Sequence, residues 1–211
     1  MNGKFITFEG LDGSGKTTQL QLLADKLRSR SFDVTTTCEP GGTILGKQIR
    51  QVLLDKSSSV SPLTELLLFA ADRAQHVQTL IRPNLERGNI VISDRYADAT
   101  IAYQGAGRGF DADLIRQIIN IATDGLKPDL TIFFDVSVEE SLNRTTKRVA
   151  EGVEKNRLDE EKFEFYQRVR DSYLQIARNE SNRFRIVDAG GSIIQVHEKV
   201  LELIALHFGL I

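Results

Sequence analysis

Residues 8–18 read FEGLDGSGKTT, with four residues between Gly10 and the run Gly15-Lys16-Thr17. That spacing satisfies the G-x-x-x-x-G-K-[ST] pattern of a phosphate-binding loop. A loop that wraps a polyphosphate must point successive backbone N–H groups inward at oxygens. Side chains would block the approach, so Gly10, Gly13 and Gly15 supply bare backbone and unusual dihedrals. The stretch from Gly10 through Leu11, Asp12, Gly13 and Ser14 to Thr18 is therefore expected to hold the phosphates of a nucleotide. Lys16 brings positive charge to the β and γ phosphates, and Thr17 offers a hydroxyl to Mg²⁺. The competing reading is a chance match in a glycine-rich turn, and the flanking sequence opposes it. Lys4 to Phe8 is a short apolar run suited to a buried strand. From Lys16 the pattern turns helical, with Leu20, Leu23, Ala24 and Leu27 on one face. Strand, glycine loop and helix in that order put a helix N-terminus at the phosphates.

The rest of the chain must position this loop, and it alternates between strand and helix patterns. Phe32 to Cys38 is β-rich, and Ile44 to Leu54 is helical. Lys56 to Val60 is a serine-rich loop. Ser61-Pro62 reads as an N-cap followed by proline at the first helical position, opening a long helix that carries Leu63, Leu66, Leu67, Ala70 and Ala74. Asn89 to Ser93 is a strand ending at Asp94, and Leu130 to Phe134 a strand ending at Asp135. Helices are expected over 111–124, 137–149, 159–178 and 193–208, with a last strand over 184–187. Residues 150–156 read as a loop. Five strands separated by helices predict an α/β fold: a five-stranded parallel sheet flanked by helices on both faces, in a single domain over 1–211. No repeat or low-complexity linker interrupts it.

Composition narrows the partners. The chain has 211 residues, 27 Lys and Arg against 29 Asp and Glu, and a formal net charge of -2. That balance makes no electrostatic case for nucleic acid or an anionic membrane as the main partner. The single cysteine, Cys38, excludes an internal disulfide. No apolar run approaches the length of a membrane span, and the chain enters its first strand without a signal segment, so a cytoplasmic enzyme is expected. His76, His197 and His207 lack metal-ligand spacing and read as structural or surface residues.

Three classes of phosphate-loop protein compete. A GTPase needs a guanine-reading N-K-x-D sequence, and none is present. Asp188-Ala189-Gly190-Gly191 matches D-x-x-G, but it lies too near the C-terminus for a switch segment. A regulatory ATPase does not explain the arginine-bearing polar segments in mid-chain. A small-molecule kinase does, because it must neutralise two phosphorylated substrates at once and needs cationic groups from several places.

FEGLDGSGKTT, EPGGT at 39–43, LLLFAADRAQH at 66–76 and above all DRYADATIAYQGAGRG at 94–109 resemble the thymidylate kinases, which phosphorylate dTMP. The resemblance spans essentially the whole chain. It implies transfer of the γ-phosphoryl group of ATP to dTMP, with Mg²⁺ and as a homodimer. It places Arg50 and Arg95 on the acceptor phosphate, Arg73 on the pyrimidine, Tyr103 under the sugar where a ribose 2′-OH would clash, and Asp12 near the acceptor 3′-OH. Residue chemistry agrees at several points. A guanidinium clamps phosphate bidentately. Asp94, at a strand's carboxyl end, suits holding Mg²⁺ through water, with Asp12 a further candidate; a turn or capping aspartate is the alternative for Asp94. Phe69 precedes Arg73 by four residues, so the two share a helix face where a ring stacks on the base and a donor reads its edge; Phe69 as ordinary core is the alternative. Thr100 and Gln104 are also four apart and would complete the base edge if helical. Glu9 receives no chemical role.

The segment 144–157, RTTKRVAEGVEKNR, carries Arg144, Lys147, Arg148, Lys155 and Arg157. A solvated charged helix is the plain reading, and a lid closing over ATP the functional one. In the resembling family the donor-side arginine comes from the phosphate loop or from the lid. Here the loop interior, Leu11-Asp12-Gly13-Ser14, has no basic residue. The resemblance therefore assigns the transferring phosphoryl group to Arg148, with Arg157 second and Arg144 packed on adenine. Ala189 and Gly190 would form the other adenine wall. One departure stands out: the family usually has arginine where this chain has Cys38. Cys38 reads as a buried small residue and not a nucleophile, since phosphoryl transfer to a nucleotide needs no thiol.

Overall fold

The computed structural model describes residues 3–57, 59–152, 157 and 161–210. Its sheet contains β1 (Lys4–Glu9), β2 (Val34–Cys38), β3 (Ile90–Asp94), β4 (Leu130–Asp135) and β5 (Phe184–Asp188), in the order β2-β3-β1-β4-β5. Every pairing is parallel. The helices are α1 (Lys16–Ser29), α2 (Ile44–Leu54), α3 (Pro62–His76), α4 (Arg82–Glu86), α5 (Ala97–Thr100), α6 (Ala112–Thr123), α7 (Val138–Ala150), α8 (Phe163–Asn179) and α9 (Ile193–Phe208). No helix among the described residues is long and apolar enough to cross a membrane.

Both sheet faces are covered, and β1 shows how. Ile6 and Phe8 face the cluster built with Leu20, Leu23 and Leu27 of α1 and Val196, Val200 and Ile204 of α9. Phe5 packs on the opposite face with Val77, Val91 and Tyr96. Thr7 and Glu9 share that face by strand alternation, and both are fully buried. Thr7 and Thr131 hydroxyls pair at 2.8 Å. The Tyr173 hydroxyl of α8 reaches Glu9.

The predicted strands and most helices lie where the sequence places them, and Ser61 caps α3 as expected, accepting from Thr64 N. Two stretches differ. Helical structure continues past α3 through a π-helical turn at Val77–Ile81 into α4, where the sequence reading left no element. Pro83 sits in the first turn of α4 and is tolerated because it follows the π turn, where a backbone donor is already displaced. A second π-helical stretch, Ile101–Gly107, follows α5, so Thr100 and Gln104 do share one helical run. Helix α8 begins at Phe163, later than the expected 159. Residues 153–156, with Lys155 of the charged segment, and 158–160 lie outside the described residues.

Helix α2 packs on α3 through Gly46, whose added Cβ would stand 2.3 Å from Asp72 Oδ1. Asp72 is fully buried and accepts from Gly41 N at 3.1 Å, so it cannot swing away. Alanine there gains up to about 1 kcal/mol of helix propensity. Overpacking against a fixed carboxylate costs about 1–3 kcal/mol and outweighs it. Gly46→Ala is therefore expected to lower the urea midpoint at unchanged m-value; a higher midpoint would show that the α2–α3 contact yields.

Candidate active site

The glycine loop leaves β1 and turns through three glycines of positive φ: 149° at Gly10, 78° at Gly13 and 91° at Gly15. Gly15 caps α1 with no side-chain hydrogen bond, which leaves the helix's first N–H groups free for an anion. Lys16 Nζ donates to Gly10 O at 3.1 Å and Leu11 O at 2.8 Å. The lysine thus lies folded over the loop. Burial and the nearby Arg95 charge hold its pKa below the usual lysine range.

Beside the loop, the end of β3 delivers three consecutive residues. Thr17 Oγ1 donates to Asp94 Oδ2 at 2.8 Å. Arg95 has a left-handed backbone, φ 72°, fixed by donation of its N–H to Phe8 O at 2.9 Å. Its guanidinium donates to Asp12 Oδ1 at 2.9 Å and to Tyr103 Oη at 3.1 Å, and it lies over the Tyr103 ring at 4.7 Å. Tyr96 N donates to Glu9 Oε1 at 2.8 Å. Burial opposes ionisation of Asp12, but Arg95 and Lys16 outweigh it and keep the carboxylate below its ordinary pKa.

Two cavities meet here. The larger, about 580 Å³, runs along the loop from Asp12 to Thr18 and onto Asp94, Arg95, Arg144, Arg148 and Ala189. The smaller, about 100 Å³, is lined by Phe69, Arg73, Ala99, Thr100, Tyr103 and Gln104. Asp12, Glu39, Arg50 and Arg95 line both. Arg50 is aimed by donation to Pro40 O at 2.9 Å. The buried Arg73 donates through Nε to Glu39 Oε2 at 2.8 Å, and through its two terminal nitrogens to Thr100 Oγ1 at 2.8 Å and Tyr96 O at 2.9 Å.

The remaining residues named from the sequence fall in different places. Gly10 and Leu11 support the loop from beneath, through the carbonyls that Lys16 engages. Arg144 spans the larger cavity, touching Ala189 O and Gly13 O at 3.3 Å and Glu140 at 2.7 Å. Arg148 lines the cavity and makes no hydrogen bond or ion pair among the described residues. Gly190 lies beyond Ala189 in a neighbouring polar depression with Asp135 and Asp188, while Gly191 lines the main cavity. Arg157 does not line that cavity. It donates to Leu53 O at 3.1 Å and Glu65 Oε2 at 2.6 Å, on the side of the smaller pocket.

A match to the thymidylate kinase family model covers residues 8–200. The chain belongs to the thymidylate kinase family. The thymidylate kinase of Carboxydothermus hydrogenoformans is 53% identical over 89% of this chain and 90% of that protein. That of Pelobacter propionicus is 46% identical over 94% and 92%. A crystal structure of thymidylate kinase from Ehrlichia chaffeensis superposes with a TM-score of 0.78 at 37% identity, covering 97% of this chain and 100% of the other.

Cys38 is a half-buried thiol at the edge of the larger cavity, its pKa raised by burial. Sequence reasoning missed the carboxylates that hold the arginines. Glu39 was read only as part of a tight turn, yet it grips Arg73 and His76, the latter at 2.8 Å. The signal was its place immediately after a strand's carboxyl end. Glu65 was missed for want of any local motif, and Glu9, inside the glycine-loop segment, received no chemical role although it accepts from Tyr96 N and Tyr173 Oη.

Glu9 generates a pH prediction. Burial, and then the Asp98 charge, raise its pKa from 4.5 to about 8. Below pH 4.5 the carboxyl is protonated in both folded and unfolded chains and costs nothing. Between pH 4.5 and 8 only the unfolded chain releases the proton, so stability falls as pH rises across that window. Glu9→Gln cannot ionise, and the Tyr173 hydroxyl, 2.7 Å from Oε2, can turn to meet the new amide. Urea midpoints should fall for the wild type between about pH 5 and 8 and stay flatter for Glu9→Gln. Parallel profiles would mean that Glu9 is ionised in the fold throughout.

Proposed function

We propose that this chain transfers the γ-phosphoryl group of ATP to dTMP, giving ADP and dTDP by direct in-line transfer. One observation carries the reading: the phosphate-loop cavity and a small aromatic-and-arginine pocket meet at Asp12, Arg50 and Arg95. A donor in the first and an acceptor in the second bring their phosphates together at that junction. Most of the rate then comes from positioning and charge neutralisation.

In this reading the backbone of 10–18 cradles the ATP phosphates, and Lys16 leaves its carbonyls to meet the β and γ oxygens. Arg144 and Ala189 flank adenine, with Gly190 at the margin. Phe69 stacks on thymine, Arg73 and Thr100 face its O4 edge, and Gln104 faces N3. Tyr103 lies under the deoxyribose. Arg50 and Arg95 clamp the acceptor phosphate, and Asp12 approaches the 3′-OH. The Thr17 hydroxyl beside the Asp94 carboxylate is an all-oxygen donor pair that suits Mg²⁺ sharing its shell with phosphates and water. No group of three His, Cys, Asp or Glu able to hold a metal occurs among the described residues. Mg²⁺ would neutralise phosphate charge there. Asp12, bound to Arg95, is the weaker metal candidate. Arg148, exposed on α7 and unpaired among the described residues, is the cation free to move onto the transferring group as the lid closes. Both substrates are soluble nucleotides, and the reading places the enzyme in the cytoplasm.

Homodimerisation is part of the same reading. Ile44 and Val52 of α2, Leu63 and Leu67 of α3 and Ile121 of α6 are exposed on helices that pack side by side. A second copy of the chain would cover them, and sedimentation velocity should give twice the chain mass.

ADP release with a panel of monophosphates tests the reaction. dTMP should exceed AMP, GMP and CMP by about 10²-fold or more in kcat/KM; AMP or CMP as best acceptor would overturn the assignment. Folded Lys16→Ala should lose most turnover. Arg148→Ala should lower kcat by about 10³-fold with dTMP affinity little changed, and retention of kcat within about threefold, under ~0.7 kcal/mol, would make the lid a cover only.

A further inference from the structure

Behind the small pocket lies a buried carboxylate that the proposed reaction does not use. Glu65, on α3, is 1% exposed. Its Oε1 accepts from Gln104 Nε2 at 3.0 Å and from Arg108 Nε at 3.1 Å. Its Oε2 accepts from Arg108 at 3.1 Å and Arg157 at 2.6 Å. Burial opposes its ionisation, but the hydrogen bonds from Arg108, Gln104 and Arg157 prevail, and Glu65 keeps a pKa below the ordinary glutamate value.

An ionised carboxylate only accepts hydrogen bonds. The edge of Gln104 that meets Glu65 must therefore be its NH₂. The amide is planar, so its oxygen is left for the pocket, and no donor among the described residues meets that oxygen. Nearby, Arg73 keeps N–H groups beyond those given to Glu39, Thr100 and Tyr96 O. Thr100, which accepts from Arg73, has its own hydroxyl hydrogen to donate. The pocket wall thus offers donors beside one acceptor.

We infer that Glu65 is a positioning residue that fixes the Gln104 amide with its oxygen toward the acceptor base, and so selects a pyrimidine carrying N3–H over one with a bare N3. The inference rests on the dTMP reading above. Thymine presents a carbonyl beside N3–H and matches the wall at both atoms. Cytosine presents an amino group beside a bare N3 and mismatches at both. Without Glu65 the amide can rotate end for end at little cost, and the discrimination at N3 is lost.

Glu65→Gln tests this without changing the side chain's shape. Its new NH₂ faces two arginine donors if it takes the Oε2 place, but only one if it takes the Oε1 place. The Oε1 place is favoured, and there the NH₂ needs an acceptor from Gln104. The Gln104 oxygen turns away from the pocket and its NH₂ turns in. The dTMP-over-dCMP ratio of kcat/KM should fall by about 30-fold or more, through KM for the acceptor, with KM for ATP unchanged within about threefold. In a Gln104→Ala background, Glu65→Gln should not move the ratio further. A merely structural Glu65 would instead lower activity toward both acceptors and in both backgrounds. If Glu65→Gln alone does not fold, the same measurement is made on Glu65→Met combined with Arg157→Met, which removes the acceptor of the Gln104 amide together with one cation, while Arg108 keeps Glu161. A ratio within about threefold of wild type in whichever variant folds overturns the inference. So does an equal further loss in the Gln104→Ala background. A wild type that does not use dTMP overturns the parent reading instead, and the two failures are told apart by the wild-type assay.

Discussion

The register between β1 and β3 is the constraint on which the site depends. Phe8 stands opposite Asp94, so the glycine loop leaving β1 and the polar residues ending β3 emerge side by side. Four contacts then stitch the two ends together: Thr17 to Asp94, Arg95 N to Phe8 O, Arg95 to Asp12, and Tyr96 N to Glu9. A slip of one residue would send Asp94 and Arg95 to the wrong faces. The hydrophobic alternation of β1 forbids that slip, because Ile6 and Phe8 must enter one core cluster while Phe5 enters another. Ordinary apolar packing thus fixes the position of charged groups that make little contact with it.

Around this junction, cations are paired with carboxylates of the chain itself. Arg95 has Asp12, Arg73 has Glu39, and Arg108 and Arg157 share Glu65. Buried ion pairs add little net stability, since desolvation cancels most of the attraction. Their effect here is on direction. A guanidinium held at one edge presents the other edge at a set angle. Arg148, on an exposed part of α7, has no such partner among the described residues.

Much of this was legible in the sequence, for reasons that differ by element. The glycine loop was readable because backbone geometry demands particular residues at particular spacings. The strands were readable because β1, β3 and β4 are buried runs with few competing signals. Val77–Ile81 and Ile101–Gly107 were not, because a π-helical turn leaves no periodic signature of its own. Phe69, Arg73, Thr100 and Gln104 were found by helical spacing together with family likeness, and the structure gathers them in one pocket. Arg157 was expected at ATP and stands instead at Glu65, since sequence proximity to Arg148 says nothing of where the chain turns between them. Glu39 and Glu65 act across tens of residues, on arginines that local patterns do not connect to them.

The left-handed backbone of Arg95 has a consequence for engineering. A side chain in that region is strained by roughly 1 kcal/mol or more, and glycine is not. Glycine at position 95 would relieve that strain but would also delete the guanidinium that holds Asp12 and Tyr103 where the two cavities meet. A relaxed backbone and a placed side chain thus pull this one position in opposite directions.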